Sequence, residues 1–235
     1  MNNKIRILLT SALCIISLVV IVTSCLTQPN SQTVINIANP TPTVIIDPGH
    51  GGIDAGASVS NVLEKNINLD ISLILKHFLE SYGFDVVLTR DTDTQVCTDK
   101  NVKSKKRADL QKRVDIFNSS NKNIVISIHQ NMFSQEQYNG TQTFYSKNNA
   151  DSEILANCIQ SSVRKLLQPD NQRECKQAGS EIYILDNTHS VCVLVECGFL
   201  SNRNDLQNLT DKKYQNEIAY SICLGFLEYY YKNNK

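Results

Sequence analysis

Short runs of β-branched and aliphatic residues alternate with longer amphipathic stretches along most of the chain. Short apolar runs are typical of buried strands, whereas apolar residues that recur every three or four positions indicate a helix. The pattern predicts helices at residues 67–82, 108–118, 150–167 and 212–231. It predicts strands at residues 43–47, 85–89, 124–128, 141–145, 181–185 and 191–195.

This alternation predicts an α/β fold, with a mostly parallel central sheet of about six strands flanked by helices on both faces. In such sheets, ligands bind at the carboxyl ends of the strands. Three residues with metal-binding or acid–base chemistry directly follow or end predicted strands, namely His50, His129 and Glu196. We therefore expect a functional site at that edge of the sheet.

The N-terminal segment has a different composition from the rest of the chain. Lys4 and Arg6 precede an uncharged, mostly apolar stretch at residues 7–26. That length suits a membrane span of about 20 residues, and the positive charge ahead of it places the following chain outside the cytoplasm. Residues 1–26 are predicted to be a signal sequence or membrane anchor; the alternative is a lipoprotein signal that ends before Cys25. Residues 27–42 are predicted to be a linker, and residues 43–235 a folded domain.

Charge and cysteine usage narrow the classes of partner. The 23 basic and 23 acidic residues give a formal net charge of zero and form no basic stripe, which argues against nucleic acid as a partner. None of the eight cysteines belongs to a CxxC pair, so the spacing indicates neither a zinc knuckle nor a thioredoxin-like site. A disulfide is allowed outside the cytoplasm, but the sequence defines no pairing.

Each candidate site residue also has a structural interpretation. His50 lies in the glycine-rich stretch DPGHGG, where it is either an exposed ligand or an incidental residue of a tight turn. Glu64 stands three residues after Asn61, a spacing that also fits a capping box. His129, at the end of a predicted strand, is otherwise a buried histidine held by backbone groups.

Considered together, the candidates predict one kind of chemistry. Two imidazoles and a carboxylate form a His₂Glu set, which is typical of a catalytic zinc that keeps a fourth position for water. Zinc lowers the pKa of that water to about 7, and Glu196 can then accept the proton as a general base. Asp47 either orients His50 as an outer hydrogen-bond partner or caps a turn.

Five separated stretches carry a resemblance to a known family: VIIDPGHGGIDAGA, LEKNINLDIS, TRDTDT, ISIHQN and VLVECGFLSNRND. They resemble the zinc-dependent amidase-3 family of N-acetylmuramoyl-L-alanine amidases, which hydrolyse the amide between muramic acid and L-alanine in peptidoglycan. The resemblance implies that residues 43–235 are the catalytic domain, with one Zn²⁺ per chain. It also implies that His50, Glu64 and His129 ligate the zinc and that Glu196 is the catalytic carboxylate.

The single-domain layout is similar to that of the germination-specific, spore-cortex members of the family. This resemblance implies a role in cortex maturation that leads to muramic δ-lactam, with a peptidoglycan glycan strand and its peptide stem as substrate. It also implies an exported protein at the outer face of the cytoplasmic membrane or in the spore intermembrane or cortex space, attached through the N-terminal segment and assisted by an accessory spore protein. The alternatives are a vegetative cell-wall autolysin and a zinc carboxypeptidase, which would need a positive clamp for a terminal carboxylate.

Several polar residues are weaker candidates. His77 is predicted to lie on the surface of a helix, whereas His189, in the loop before the last strand, is a candidate for substrate contact. Arg90 and Arg113 match family positions, and either pairing with carboxylates or substrate binding explains them. The last candidates form a short basic run, which begins a solvated helix or contacts an anionic wall polymer: Lys103, Lys105, Lys106 and Arg107.

Overall fold

The computed structural model describes residues 42–233. The predicted leader and the predicted linker up to residue 41 lie outside the described residues. The strands are β1 (Val44–Pro48), β2 (Ser58–Val59), β3 (Val62–Leu63), β4 (Val86–Leu88), β5 (Ile124–Asn131), β6 (Gln142–Tyr145), β7 (Lys176–Gln177) and β8 (Val191–Phe199). The helices are α1 (Glu64–Ser81), α2 (Lys105–Phe117), α3 (Asp151–Leu166), α4 (Tyr183–Asn187), α5 (Arg203–Thr210) and α6 (Lys212–Asn233).

Six strands form one sheet in the order β4-β1-β5-β8-β6-β7. All neighbouring strands in it are parallel except β6 and β8, which are antiparallel. The predicted six-stranded, mostly parallel sheet is therefore confirmed. β2 and β3 form a separate antiparallel hairpin immediately before α1.

Helices cover both faces of this sheet, as predicted. Side chains of a strand alternate between the two faces, so Val44 and Ile46 of β1 enter the larger core beneath α1, α3 and α6. Ile45, between them, enters the smaller core beneath α2 and α4. Burial on both faces explains why the strands are apolar at every position instead of at every second one.

One predicted strand is wrong. Residues 181–185 do not extend; Tyr183–Asn187 forms α4 instead, and its Ile184 and Leu185 fill the smaller core. The sixth strand is β7 at Lys176–Gln177. An apolar run of five residues is too short for its periodicity to distinguish a strand from a buried helical turn. Strand β7 gives no hydrophobic signal, because it consists of two polar residues.

The hydrophobic pattern also does not predict α5. This helix begins after Asn202, whose side chain accepts hydrogen bonds from the amides of Asn204 and Asp205. It is therefore specified by its N-cap more than by an apolar face.

Two further features concern membrane spans and disulfides. Within residues 42–233, no helix has the length and apolar character needed to cross a membrane. All six cysteines in this range are free thiols: Cys97, Cys158, Cys175, Cys192, Cys197 and Cys223.

Candidate active site

The sheet brings three of the predicted site residues to one edge. His129 of β5 stands opposite Glu196 of β8, and Glu196 stands opposite Gln142 of β6. Residues opposite one another in a sheet point to the same face, so these side chains share the face covered by α2 and α4. His50 follows β1, the other neighbour of β5, two residues after Pro48 pairs with Ile128. The expected convergence at the carboxyl ends of the strands is confirmed.

Glu64 joins this group from the first position of α1. Its Oε2 lies 3.3 Å from Nε2 of His50, and its Oε1 lies 3.0 Å from Nδ1 of His129. The backbone amides of Ala57 and Gln130 donate to the same two oxygens at 2.8 and 3.1 Å. The capping-box interpretation is wrong, because the N-cap of α1 is Leu63 and no side chain caps it. The Glu64 carboxylate is instead held between the two imidazoles.

His50, Glu64 and His129 could together hold a metal ion. Each offers one ligand atom, and the three atoms lie within 4.8 Å of one another. The two imidazole rings are 5.0 Å apart and nearly perpendicular. Two nitrogens and one carboxylate oxygen are a donor set that suits Zn²⁺.

Two buried arginines hold the loop that carries His50. Arg90 and Arg113 both donate to the carbonyl oxygens of Pro48 and His50, at 2.7–3.0 Å. Arg113 also forms buried ion pairs with Asp47 and Asp109. Of the two interpretations offered by the sequence, the structure supports the structural one, because the guanidinium groups are bonded to the loop backbone and to carboxylates. Their contacts fix His50, which has a left-handed φ of 61°.

Of the two interpretations of Asp47, the structure does not support the outer hydrogen bond to His50. Asp47 is fully buried and accepts hydrogen bonds from Thr89 and Ser127 as well as pairing with Arg113. The carboxylate beside His50 is that of Asp54, whose Oδ2 lies 2.9 Å from Nδ1 of the ring. Asp54 reaches this position because residues 51 and 54 pair across a tight turn. Asp54 lies four residues after His50, within the stretch GGIDAGA, but the sequence does not reveal the turn that folds Asp54 back onto the imidazole ring.

Two glycines make room for the imidazoles and the carboxylate. A β-carbon at Gly49 would lie 2.2 Å from Nε2 of His129. A β-carbon at Gly56 would lie 2.4 Å from Oε2 of Glu64 and 2.7 Å from Cδ2 of His50. The backbone approaches these groups so closely that no other residue fits without moving them.

The electrostatics of the protein groups favour a charged Glu64. Burial alone would raise the pKa of Glu64, but hydrogen bonds and charges of His129 and His50 outweigh it and hold the pKa far below its usual range. Burial lowers the pKa of His50, and the neighbouring Glu64 and Asp54 more than compensate, so that this pKa is raised. Glu64 is therefore an ionised carboxylate between the two imidazoles, the charge state in which a carboxylate binds a metal ion, and His50 must be deprotonated to join it as a ligand.

Glu196 is in a different electrostatic environment. Burial, followed by the negative charge of Glu64, raises the pKa of Glu196 to about 8, although His50 opposes the shift. Its Oε2 is buried and has no hydrogen-bond partner among the described residues. A carboxyl group with a raised pKa can accept and return a proton near neutral pH. The unpaired oxygen fits a group whose partner is a water molecule or substrate.

A cleft of about 350 Å³ extends from Gln142 across β6 and β7. Aromatic side chains line much of it, including Phe133, Tyr138 and Phe199, and Arg173 and Lys176 add two positive charges. The sequence analysis missed this surface because its residues come from four separate segments. Only the aromatic residues around the ISIHQN and GFLSN stretches could have signalled it.

Apart from Arg90 and Arg113, the weaker candidates are exposed, and only Lys106 among them lies near the site. His77 is exposed on α1, as predicted. His189 is exposed two residues before β8 begins, at the opposite end of that strand from Glu196, so it does not line the candidate site. The basic run is exposed at the start of α2, which Ser104 caps. Lys106 of this run also lines a small cavity beside His50 and Asp54.

Comparison with known proteins gives consistent relatives. The family model described as N-acetylmuramoyl-L-alanine amidase matches residues 44–228. The germination-specific N-acetylmuramoyl-L-alanine amidase of Bacillus subtilis (strain 168) is 34% identical over 189 residues, which make up 80% of this chain and 79% of that protein. The amidase LytC of the same organism is 33% identical over 190 residues, but these make up only 35% of its length.

Solved structures give the same result. The CwlD amidase from Clostridioides difficile, determined in complex with the GerS lipoprotein, is 41% identical with a TM-score of 0.77, covering 82% of this chain and 100% of that chain. The N-acetylmuramoyl-L-alanine amidase AmiC2 of Nostoc punctiforme is 30% identical with a TM-score of 0.68, covering 82% and 99%. With its fold, its His₂Glu group and these matches, the chain belongs to the N-acetylmuramoyl-L-alanine amidase family of peptidoglycan hydrolases.

Proposed function

We propose that this amidase depends on zinc, and that His50, Glu64 and His129 hold the ion beside Glu196 as the catalytic carboxylate. The observation that carries the proposal is the group of three ligand atoms within 4.8 Å of one another. The fit is supported by Oε2 of Glu196, which is buried without a hydrogen-bond partner among the described residues. A bound Zn²⁺ would supply a Lewis acid for the amide carbonyl and lower the pKa of a water molecule.

The roles of the side chains follow from their environments. Glu196 accepts a proton from the attacking water and delivers it to the leaving amine of L-alanine, so that the bond to the muramic lactyl group breaks. Its raised pKa suits both steps. Asp54 orients His50, while Arg90 and Arg113 fix the loop that carries this histidine.

Replacing Glu196 with alanine tests the assignment. We expect the Glu196→Ala protein to bind zinc as the wild type does and to lose turnover by about 10²–10⁴-fold, because the proton acceptor is removed while the three ligands remain. Elemental analysis measures the zinc, and digestion of purified peptidoglycan measures the turnover. The matched control is Glu80→Ala, which removes an exposed carboxylate of α1. Full activity of the Glu196 variant would refute the catalytic role.

The products of the same digest separate an amidase from a zinc carboxypeptidase. Hydrolysis of the muramoyl amide releases peptides with a new N-terminal alanine, whereas a carboxypeptidase frees C-terminal residues. Protein whose metal has been removed by a chelator should release neither product, and added zinc should restore the release of peptides with an N-terminal alanine.

We further propose a role in spore cortex maturation. It is supported by the likeness to the germination-specific relative and to the CwlD amidase, both of which match the chain over most of their own length. A strain that lacks the protein should form cortex without muramic δ-lactam, as judged by muropeptide analysis of purified spores. Normal δ-lactam in that cortex would favour the alternative role as a vegetative autolysin.

Export and an accessory protein complete the proposal. Residues 1–26 would direct the chain across the membrane and either anchor it or be lipidated at Cys25. The GerS lipoprotein bound by the CwlD amidase suggests a partner of similar kind. Fractionation of cells with a tagged chain, with and without residues 1–26, tests the export. Affinity purification from the membrane fraction of sporulating cells tests for a bound lipoprotein.

A further inference from the structure

The cleft beside Glu196 has two cationic side chains on the catalytic face of the sheet. Lys176 of β7 stands opposite Phe144 of β6, two residues after Gln142, which stands opposite Glu196. Because alternate residues of a strand share a face, Lys176 points to the same side of the sheet as Glu196. Arg173 lies three residues earlier and lines the same cleft.

The two cations are available to a ligand. Neither forms an ion pair with a carboxylate among residues 42–233. Arg173 is held in place by donating to the carbonyl oxygen of Asn139 at 2.7 Å and to Oε1 of Gln142 at 3.2 Å. Its guanidinium carbon also lies 4.4 Å from the centre of the Phe199 ring. Arg173 is thus pre-positioned by neutral groups. The carboxylate of Asp205 attracts its charge but forms no ion pair with it, because Asp205 accepts hydrogen bonds from the backbone amides of Gly140 and Phe199.

We infer that Arg173 and Lys176 form a carboxylate clamp that binds a free carboxylate of the peptide stem, on the leaving side of the scissile amide. This inference rests on the proposed amidase function. Charge complementarity supports this inference. The N-acetylated glycan is uncharged where the lactyl carboxyl group of muramic acid forms the amide, whereas the peptide stem carries free carboxylates. Arginine and lysine beside aromatic rings are the groups that bind such carboxylates.

The dimensions of the sheet agree with the second stem residue as the source of the carboxylate. Lys176 and Glu196 are separated by two strand spacings across the sheet and by two residues along it, which places their Cα atoms roughly 12 Å apart. A carboxylate on the second residue lies about two residue lengths, roughly 7 Å, from the scissile amide. The long side chains of Arg173 and Lys176 can cover the remaining gap.

Two substrates that differ in one group test the clamp. Both are N-acetylmuramoyl-L-alanyl-D-glutamate derivatives whose γ-carboxyl is a methylamide, which replaces the next peptide bond. In one the α-carboxyl is free, and in the other it is a carboxamide. We expect the wild-type enzyme to prefer the carboxylate through a lower KM, with similar kcat for both.

Variants then assign the preference to the clamp. Lys176→Gln should raise KM for the carboxylate substrate by about threefold to tenfold and leave KM for the carboxamide substrate unchanged. Lys176→Arg should restore most of the preference because it keeps the charge. The matched control is Lys122→Gln, which removes an exposed lysine before β5, at the opposite edge of the sheet. Equal losses on both substrates, or no loss on either, would overturn the inference.

Binding measurements separate this inference from the proposed function. The corresponding peptides without the muramoyl group are titrated into the wild-type and Lys176→Gln chains by NMR. Preferential binding of the carboxylate that depends on Lys176 supports the clamp even if neither muramoyl substrate is cleaved, in which case only the proposed function fails. Cleavage of both substrates without any carboxylate preference in rate or binding refutes the clamp and leaves the amidase function intact.

Discussion

At the scale of single residues, the site depends on what surrounds each ligand. His50 has a carboxylate on each side, Glu64 at its Nε2 and Asp54 at its Nδ1. In zinc sites, an imidazole whose second nitrogen is fixed by a carboxylate keeps one tautomer and one orientation. Asp54 therefore determines which nitrogen of His50 faces the other two candidate ligands.

Replacing Asp54 with alanine should weaken zinc binding by about 10–100-fold, because His50 loses the partner of its Nδ1. Competition with a fluorescent zinc chelator measures the affinity. Asp70→Ala is the matched control, since Asp70 forms only an exposed pair with Lys212, and it should leave the affinity unchanged. An Asp54→Ala protein with wild-type affinity would show that the hydrogen bond does not orient the ring.

Residue types predicted the candidate ligands, but their partners depend on conformation. His50 and His129 were identifiable because each follows a predicted strand and has the chemistry of a zinc ligand, whereas Glu64 was preferred as a ligand over a helix cap because of the family resemblance. Asp47 and Asp54 are both aspartates near His50 in the sequence. Asp54 contacts the ring because residues 51 and 54 pair across a turn, whereas Asp47 is held in an ion pair with Arg113. Neither effect appears in a hydrophobic pattern.

At the scale of elements, a buried ion pair joins β1 to α2. Burial alone would raise the pKa of Asp47, but the charge of Arg113 and the hydroxyls of Thr89 and Ser127 hold it below its usual range. Asp47 and Arg113 are 0% and 2% exposed. A buried charge without its partner is strongly unfavourable, so the pair requires β1 and α2 to remain in this arrangement.

The pair predicts a pH-dependent contribution to stability. Asp47→Asn should lower the free energy of unfolding at pH 7 by up to about 3–5 kcal/mol, because Arg113 loses one of its two buried counter-charges and keeps Asp109. The folded pKa of Asp47 lies below the unfolded value of about 3.9, so its contribution is complete above that pH and is lost as the pH falls through the folded pKa.

Urea unfolding from pH 7 to pH 3 measures this contribution as the difference between the wild-type and Asp47→Asn proteins. The difference should narrow at the acid end. Asp186→Asn, which breaks a partly exposed pair with Lys147, is the control and should cost at most about 1 kcal/mol. A difference between wild type and Asp47→Asn that is independent of pH would exclude the proposed contribution of the ionised carboxylate.

The elements that the sequence predicted are the long helices with an apolar period and the short apolar strands of the central sheet. Helix α1 and strands β5 and β8 were predicted because their apolar residues enter one core or both. Helix α4 was predicted as a strand because residues 181–185 are too few to show a period. Strand β7 was missed because its position is set by pairing with β6, a contact distant in sequence. The cleft that contains Lys176 therefore follows from tertiary structure alone.

At the scale of the whole molecule, the candidate zinc ligands depend on the complete fold. Glu64 belongs to α1, whereas His50 and His129 follow or belong to neighbouring strands, and 65 positions separate Glu64 from His129. In the unfolded chain these groups are far apart, so it cannot offer the same site. Any ion that binds only the folded state must stabilise the fold as a whole.

Zinc should therefore raise the unfolding temperature of the whole domain. At a free concentration 100 times the dissociation constant, a ligand specific for the folded state contributes about 2.7 kcal/mol, which is a shift of roughly 5–11 °C for a domain of this size. Calorimetry of the chelated and zinc-loaded chain measures the shift, which should grow with the logarithm of free zinc. His129→Ala removes one ligand and should lose most of the shift, whereas His77→Ala, an exposed histidine of α1, should retain it. An equal shift in both variants would show that zinc binds elsewhere, because within residues 42–233 only the site formed by His50, Glu64 and His129 brings three such ligands together and so links the ion to the folding of β1, α1 and β5.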